Sequence, residues 1–208
     1  MSFRGWIVAS LIRPNKLLYR ALKPSAKAVR RYVQPQSWLG GKIFSPCGVK
    51  ISKTNYGGIP GVSFIPKSVR HGNAIIVFLH GGGYYFGSSL TTHRLGIALL
   101  AKHTGITCHS IDYRLAPDYP YPAALDDAII AYKDIINNYP TSRIIIAGDS
   151  AGGGLGLALM MKLRDSNGRL PDEAVLFSPW SDLNCLGESF DSKAKADPMF
   201  TPSMLRDC

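Results

Sequence analysis

Between residues 74 and 179 four continuous apolar runs, AIIVFLH, ITCHSID, RIIIAG and EAVLFSP, alternate with stretches of helical character. Runs that are apolar at every position, rather than at every second one, suit strands buried on both faces, as in a parallel sheet covered by helices on each side. The spacing predicts helices near 91–103, over 122–138 and over 151–164. The fold class that follows is α/β, with a doubly wound, mostly parallel sheet. In the second helix Leu125, Ala128, Ile129, Tyr132 and Ile136 form one apolar face, and Asp126, Asp127, Lys133 and Asp134 are expected to point elsewhere. In the third, LGLALMMKL is apolar nearly all round, which predicts a helix buried at the heart of the fold. Upstream, residues 40–66 are punctuated by Gly and Pro and read as two antiparallel strands. Residues 3–33 read as short basic helices broken by Pro14 and Pro24.

A chain of 208 residues supports one domain with a large core. With 46% apolar and 18% charged residues it is neither disordered nor collagen-like. The formal charge of +10 is distributed unevenly: residues 1–111 carry fifteen Lys or Arg and no acid, whereas residues 112–208 carry nine basic and fourteen acidic side chains. A fold whose acidic remainder lies outside this sequence accounts for that imbalance. An anionic surface as partner is the other account. No aromatic and basic RNA signature and no Cys/His finger supports nucleic acid. The four cysteines, Cys47, Cys108, Cys185 and Cys208, show no metal-ligand spacing, and a reduced cytoplasmic setting is expected. The apolar run from Gly5 to Ile12 is too short for a membrane span and lacks a signal-peptide cleavage site. Eight Lys or Arg lie among Trp6, Ile7, Leu11, Leu17 and Leu18 in residues 1–31, and peripheral membrane contact through this N-terminus is a further expectation.

The run RIIIAGDSAGGGLGLALM, residues 143–160, carries the chemistry. Gly148-Asp149-Ser150-Ala151-Gly152 has the spacing G-x-S-x-G, which chance supplies in roughly one chain in fifteen of this length. The spacing alone therefore decides nothing. Its setting does: a strand ends at the first glycine and a helix begins past the serine, the sharp turn that presents a nucleophilic hydroxyl. A second element, LHGGGYYFGS at residues 79–88, follows another apolar strand, and its consecutive glycines leave backbone N–H groups free to converge on an oxyanion. A phosphate-binding loop is the competing reading, but neither G-x-x-x-x-G-K-[ST] nor G-x-G-x-x-G is present in that stretch. The third element, YRLAPDYPYPAALDDA at residues 113–128, sets Arg114 near Asp118, Asp126 and Asp127. It reads as a buried arginine bracing the oxyanion loop through charge-assisted bonds.

These elements in this order, HGGG, YRLAPxxxxPAALxD, GDSAGG and SPWSDL, resemble the hormone-sensitive lipase family of α/β-hydrolases over residues 40–208. The resemblance implies that Ser150 is the nucleophile, that the N–H groups of Gly82, Gly83 and Ala151 form the oxyanion hole, and that His80 and Gly81 shape the loop. It implies short- to medium-chain acyl esters as small-molecule substrates and no metal or organic cofactor. It also implies three parts: a basic helical cap segment at 1–39, the hydrolase core at 40–181, and the start of a second cap segment at 182–208.

The family's triad runs Ser, Asp, His, with acid and base on loops after two later strands. Only 58 residues follow Ser150, whereas two further strand-helix units need on the order of sixty beyond the strand at 174–177. Thr201 and Pro202 open a helix that stops within two turns. The expectation is a C-terminally truncated chain whose last strands, acid and base are missing and whose strand 174–177 is an apolar edge prone to aggregation. His80 as a substitute base is the weaker account. His71, His93, His103 and His109 read as surface or core residues, Asp165, Asp172, Asp182, Asp191 and Asp197 as caps and turns, and Asp149 as a partner of nearby backbone. The alternatives to ester hydrolysis are a catalytically inactive product that binds acyl ligands or a partner, and amide hydrolysis on the same scaffold.

Overall fold

The computed structural model describes residues 21–22 and 25–206. They fall into two compact units, one of residues 29–181 and one of residues 182–206 with those before 29. The first unit holds helix α1 (Ala26–Phe44) from Val29 onward, strands β1 (Val49–Tyr56), β2 (Ile59–Pro66) and β3 (Ala74–Leu79), and helix α2 (Arg94–Thr104). Strand β4 (Thr107–Ile111), helix α3 (Ala123–Asn138), strand β5 (Arg143–Asp149), helix α4 (Ser150–Asp165) and strand β6 (Glu173–Phe177) complete it.

The sheet has six strands in the order β1-β2-β4-β3-β5-β6. β1, β2 and β4 are joined by antiparallel ladders, and β4, β3, β5 and β6 run parallel. This is the mostly parallel α/β sheet expected from the alternating apolar runs. The two faces have separate cores. Ile75, Val77 and Leu79 of β3 pack with Ile144 and Ile146 of β5 against Tyr132 of α3 and Leu155, Leu159 and Leu163 of α4. Ile76 and Phe78 face the other way, with Phe64, Cys108 and Ala147, toward Ile97, Ala98 and Ala101 of α2. Period-two alternation thus fills both sides of the central strands with apolar side chains.

Parallel register brings the strand ends together. Leu79 of β3 is level with Ile111 of β4 and Gly148 of β5, and Asp149 is level with Phe177 of β6. The loops after these four strands therefore leave from one edge of the sheet, the edge at which open α/β sheets hold their ligands.

Two local expectations are corrected. Residues 40–44 are helical, because α1 continues past Pro35 to Phe44, through the expected boundary at 39/40, and the two strands begin only at Val49. Gly41 permits this: a Cβ there would sit 3.2 Å from Cβ of Arg94, so α1 lies close against the start of α2. In α3 the buried stripe is Asp127, Ala128, Ala131, Tyr132 and Ile135, and Asp127 points into the protein instead of away. Helix α4 is buried at Ala151, Gly152, Gly153, Leu155, Gly156, Leu159 and Leu163, while Met161, Lys162 and Arg164 near its C-terminal end are exposed. Its first part is enclosed as its apolar composition leads one to expect, and exposure begins only at Met161.

In the second unit short helices α5 (Ser189–Ser192) and α6 (Pro202–Arg206) flank turns closed by carboxylates. Asp182 accepts from the amides of Asn184 and Leu186, and Asp197 from those of Met199 and Phe200. Of the basic helices expected over residues 3–33, the part before residue 21, with the apolar residues on which the membrane contact is built, lies outside the described residues, and residues 26–33 open α1. Among the described residues no helix is long and apolar enough to cross a membrane.

Candidate active site

Strand β5 ends in an extended Asp149 (φ −120°, ψ 148°), and the chain then reverses at Ser150, whose φ is +50°. A left-handed backbone at a non-glycine residue costs on the order of 1–3 kcal/mol and persists where surrounding structure imposes it. Here the imposition comes from α4 starting at once over the end of β3. A Cβ at Gly152 would lie 2.1 Å from the Leu79 carbonyl oxygen and 2.5 Å from that of His80, so only glycine lets the first turn of α4 come this close. The carbonyl of Ser150 accepts from the amide of Trp180 at 2.9 Å, which ties the loop after β6 to the turn. Ser150 is half-buried at the N-terminus of a sixteen-residue helix, where a developing negative charge is favoured.

The glycine loop after β3 sits beside this turn. Gly82 and Gly83 have φ of +121° and +60°, and a Cβ at Gly82 would meet the Phe86 carbonyl oxygen at 2.0 Å. The Gly82 carbonyl accepts from Tyr85 and Phe86, both at 3.1 Å, so the loop is a tight turn. Among the described residues nothing accepts a hydrogen bond from the N–H of Gly82, Gly83 or Ala151. Tyr84 and Ser178, on neighbouring loops of the same sheet edge, share positive φ with Ser150, and the Tyr84 ring stands 6.2 Å from that of Trp180.

Side chains join the loop to the turn. The Gly81 amide donates to Asp149 Oδ1 at 3.0 Å. His93 Nε2 donates to the same carboxylate, 3.0 Å from Oδ1 and 3.2 Å from Oδ2, and His93 Nδ1 is bonded to Thr92 Oγ1 at 2.7 Å. Burial by itself would raise the Asp149 carboxyl, but the bond and charge of His93 and the Gly81 amide outweigh it and hold the group below the usual carboxylate range. His80 is buried, stacks on Tyr113 at 4.4 Å and donates from Nδ1 to the Gly81 carbonyl at 2.8 Å. Burial, then the neighbouring His93, lowers its pKa to about 4, so the ring is neutral near pH 7. Tyr113 donates to the His80 carbonyl at 2.5 Å. His80 is thus engaged with its own loop, and among the described residues no hydrogen bond joins Ser150 Oγ to any of the five histidines.

The arginine expectation is corrected. Arg114 is the exposed partner, with 46% of its side chain open to solvent, and Asp127 is the buried one at 1%. Arg114 Nε and Nη2 donate to Asp127 at 2.7–3.0 Å, and the Arg114 amide donates to Oδ2 at 2.8 Å. A carboxylate on a short stem can be buried and surrounded by donors, while a long guanidinium reaches it from the rim. Asp118 pairs instead with Arg30.

Sequence reasoning missed His93, 56 residues from Asp149, and Arg30, 55 residues from Tyr85. Neither has a local signal: a histidine one position before a helix and an arginine in a basic run look like many others.

Strand order, the strained serine at a strand-helix turn and the glycine loop facing it define an α/β-hydrolase. The profile of the alpha/beta hydrolase fold family matches residues 76–208. An acetyl-hydrolase of Streptomyces hygroscopicus is 36% identical over 141 residues, 67% of this chain and 47% of the relative. A carboxylesterase, NlhH, of Mycobacterium tuberculosis is 37% identical over 143 residues, 66% of this chain and 44% of the relative. The crystal structure of an esterase from the bacterial hormone-sensitive lipase family superposes with a TM-score of 0.86 at 32% identity, covering all of this chain and 67% of that one. The chain belongs to the hormone-sensitive lipase family of α/β-hydrolases. It spans about two thirds of the solved esterase, and its match covers under half of each of those two curated relatives.

Proposed function

We propose that this chain carries the nucleophile and the oxyanion hole of a serine carboxylesterase acting on small acyl esters. The observation that carries the reading is Ser150 at φ +50° on a strand-helix turn, beside a glycine loop whose Gly82 and Gly83 amides have no acceptor among the described residues. In this reading Ser150 Oγ attacks the ester carbonyl, the amides of Gly82, Gly83 and Ala151 receive the oxyanion, and water later releases the acid. His80 and Gly81 shape the loop, and Asp149 with His93 holds Gly81 against the turn. Arg114 supports the loop after β4 by neutralising Asp127. The carboxylesterase relative supports esters over amides.

No described residue is placed to take the proton of Ser150. In another serine hydrolase, loss of the base lowers kcat about 10⁶-fold. The 208-residue chain by itself is therefore expected to turn over a short-chain p-nitrophenyl ester close to background, and to accept a fluorophosphonate slowly at Ser150 alone. Peptide mass mapping after prolonged exposure, with Ser150→Ala alongside, tests this. A label on another serine, or turnover equal in the alanine variant and well above background, would overturn the assignment. Ordinary esterase rates that vanish with Ser150→Ala would keep the nucleophile and show that a base acts from elsewhere. Saturable binding of an acyl ester without labelling would favour the ligand-binding alternative.

A further inference from the structure

Arg30 of α1 reaches into the loops at the sheet's functional edge, and the reading above gives it no task. Its side chain is four-fifths buried, at 20% exposure. Nε donates to the Tyr85 carbonyl at 2.6 Å, Nη2 to the Ala116 carbonyl, and Nη1 to Asp118 Oδ2 at 2.5 Å. Two of the three acceptors are backbone atoms in two different loops, the glycine loop after β3 and the segment after β4. Those loops are joined directly as well, by the Ala116 amide donating to the Tyr84 carbonyl at 2.9 Å. A guanidinium is suited to this place because its donors are fixed in one plane and its charge does not titrate.

The bonds give the glycine loop two anchors. At one end Gly81 is held by Asp149, next to the serine. At the other Tyr85 is held by Arg30, from a helix more than fifty residues earlier in the chain. Gly82 and Gly83 lie between, and the Gly82 carbonyl closes the turn by accepting from Tyr85 itself. Any movement of Tyr85 therefore reorients the peptide groups whose N–H would receive an oxyanion.

We propose that Arg30 is a positioning residue that fastens helix α1 to the oxyanion loop, so that the order of the helix and the orientation of the Gly82 and Gly83 amides are coupled. The proposal rests on the reading of those amides as an oxyanion hole, but its structural half can be measured without turnover. A substrate or surface that draws α1 away would then loosen the hole.

Amide hydrogen exchange read by mass spectrometry on the 208-residue chain provides the test, through amides that are hydrogen-bonded and so report on loop order: Tyr85, Phe86 and Ala116. Arg30→Ala is expected to speed exchange at these amides and along residues 30–44 together, each by about tenfold or more, the scale that losing one charge-assisted bond allows. Exchange in β3 and β5 should stay as in the parent chain. Arg30→Lys, which keeps the charge but not the fork, should fall between. Asp118→Asn leaves both carbonyl bonds in place and should move Tyr85 and Phe86 by less than about twofold. Acceleration confined to residues 30–44, with Tyr85, Phe86 and Ala116 unchanged, would overturn the coupling. If Arg30→Ala loosens the whole sheet, Arg30→Lys decides on the same comparison. Failure of fluorophosphonate to label Ser150, with the coupled exchange intact, would instead remove the esterase reading and leave the latch.

Discussion

Strands β3 and β6 are both short apolar runs in the same sheet, yet five of the six residues of β3 are buried whereas Val175 and Phe177 of β6 are 44% and 49% exposed. The difference lies in their neighbours. β3 has β4 and β5 on its edges and helices on both faces, while β6 pairs with β5 alone among the described strands. An apolar sequence makes burial favourable; only the elements beside it make burial happen.

Substitutions should separate the two regions by cost. Leu79→Ala, at the dry end of β3, is expected to lower stability by about 2–5 kcal/mol, against less than about 1 kcal/mol for Val175→Ala in β6. Chemical denaturation of the two variants measures this, and equal losses would mean that β6 is covered in solution.

A proton is the next probe. His109 of β4 is buried, with Tyr56 at 2.9 Å from Nδ1 and no partner for Nε2 among the described residues, and burial lowers its pKa to about 4 from the usual 6.5. The unfolded chain takes up this proton below about pH 6.5, the folded chain only near 4, so stability present above pH 6.5 is lost as pH falls toward 4. The loss is on the order of 3 kcal/mol for this group. His109→Gln should flatten the pH dependence of the unfolding midpoint in that window by a comparable amount; an unchanged slope would show that His109 stays hydrated.

Asp127 offers a smaller break within the buried region. Asp127→Ala strips the acceptor from the Arg114 amide and is expected to cost about 1–3 kcal/mol, whereas exposed Asp126→Ala should stay within about 0.5 kcal/mol. Thermal melting of the pair checks the contrast. The smallest effect on stability falls at the edge: Phe177→Lys should change it by less than about 0.5 kcal/mol while raising the concentration at which light scattering detects aggregates. Aggregation unchanged by the lysine would show that β6 is not the sticky surface.

Much of the site was legible without coordinates. GDSAGG after one apolar strand and HGGG after another put Ser150 and the glycine loop each at a strand end, because strand-turn-helix grammar and glycine content are local properties. The errors have one physical origin. Charge and spacing name Arg114 and Asp127 as a pair without saying which member the core encloses. The apolar composition of α4 likewise gives no sign that Met161, near its C-terminal end, faces solvent.

From the sequence by itself follow the α/β alternation, the parallel sheet, the strained serine and the glycine-rich loop, since each is read from one element and the turn beside it. That the loop meets the serine turn, Gly81 bonding Asp149 across 68 residues, was decided by packing. The tertiary structure alone decided that Asp127 rather than Arg114 is buried, that His93 meets Asp149 across 56 residues, and that Arg30 holds Tyr85 across 55. Those pairings are set by where whole strands and helices pack, and side-chain type carries no record of a partner that far along the chain.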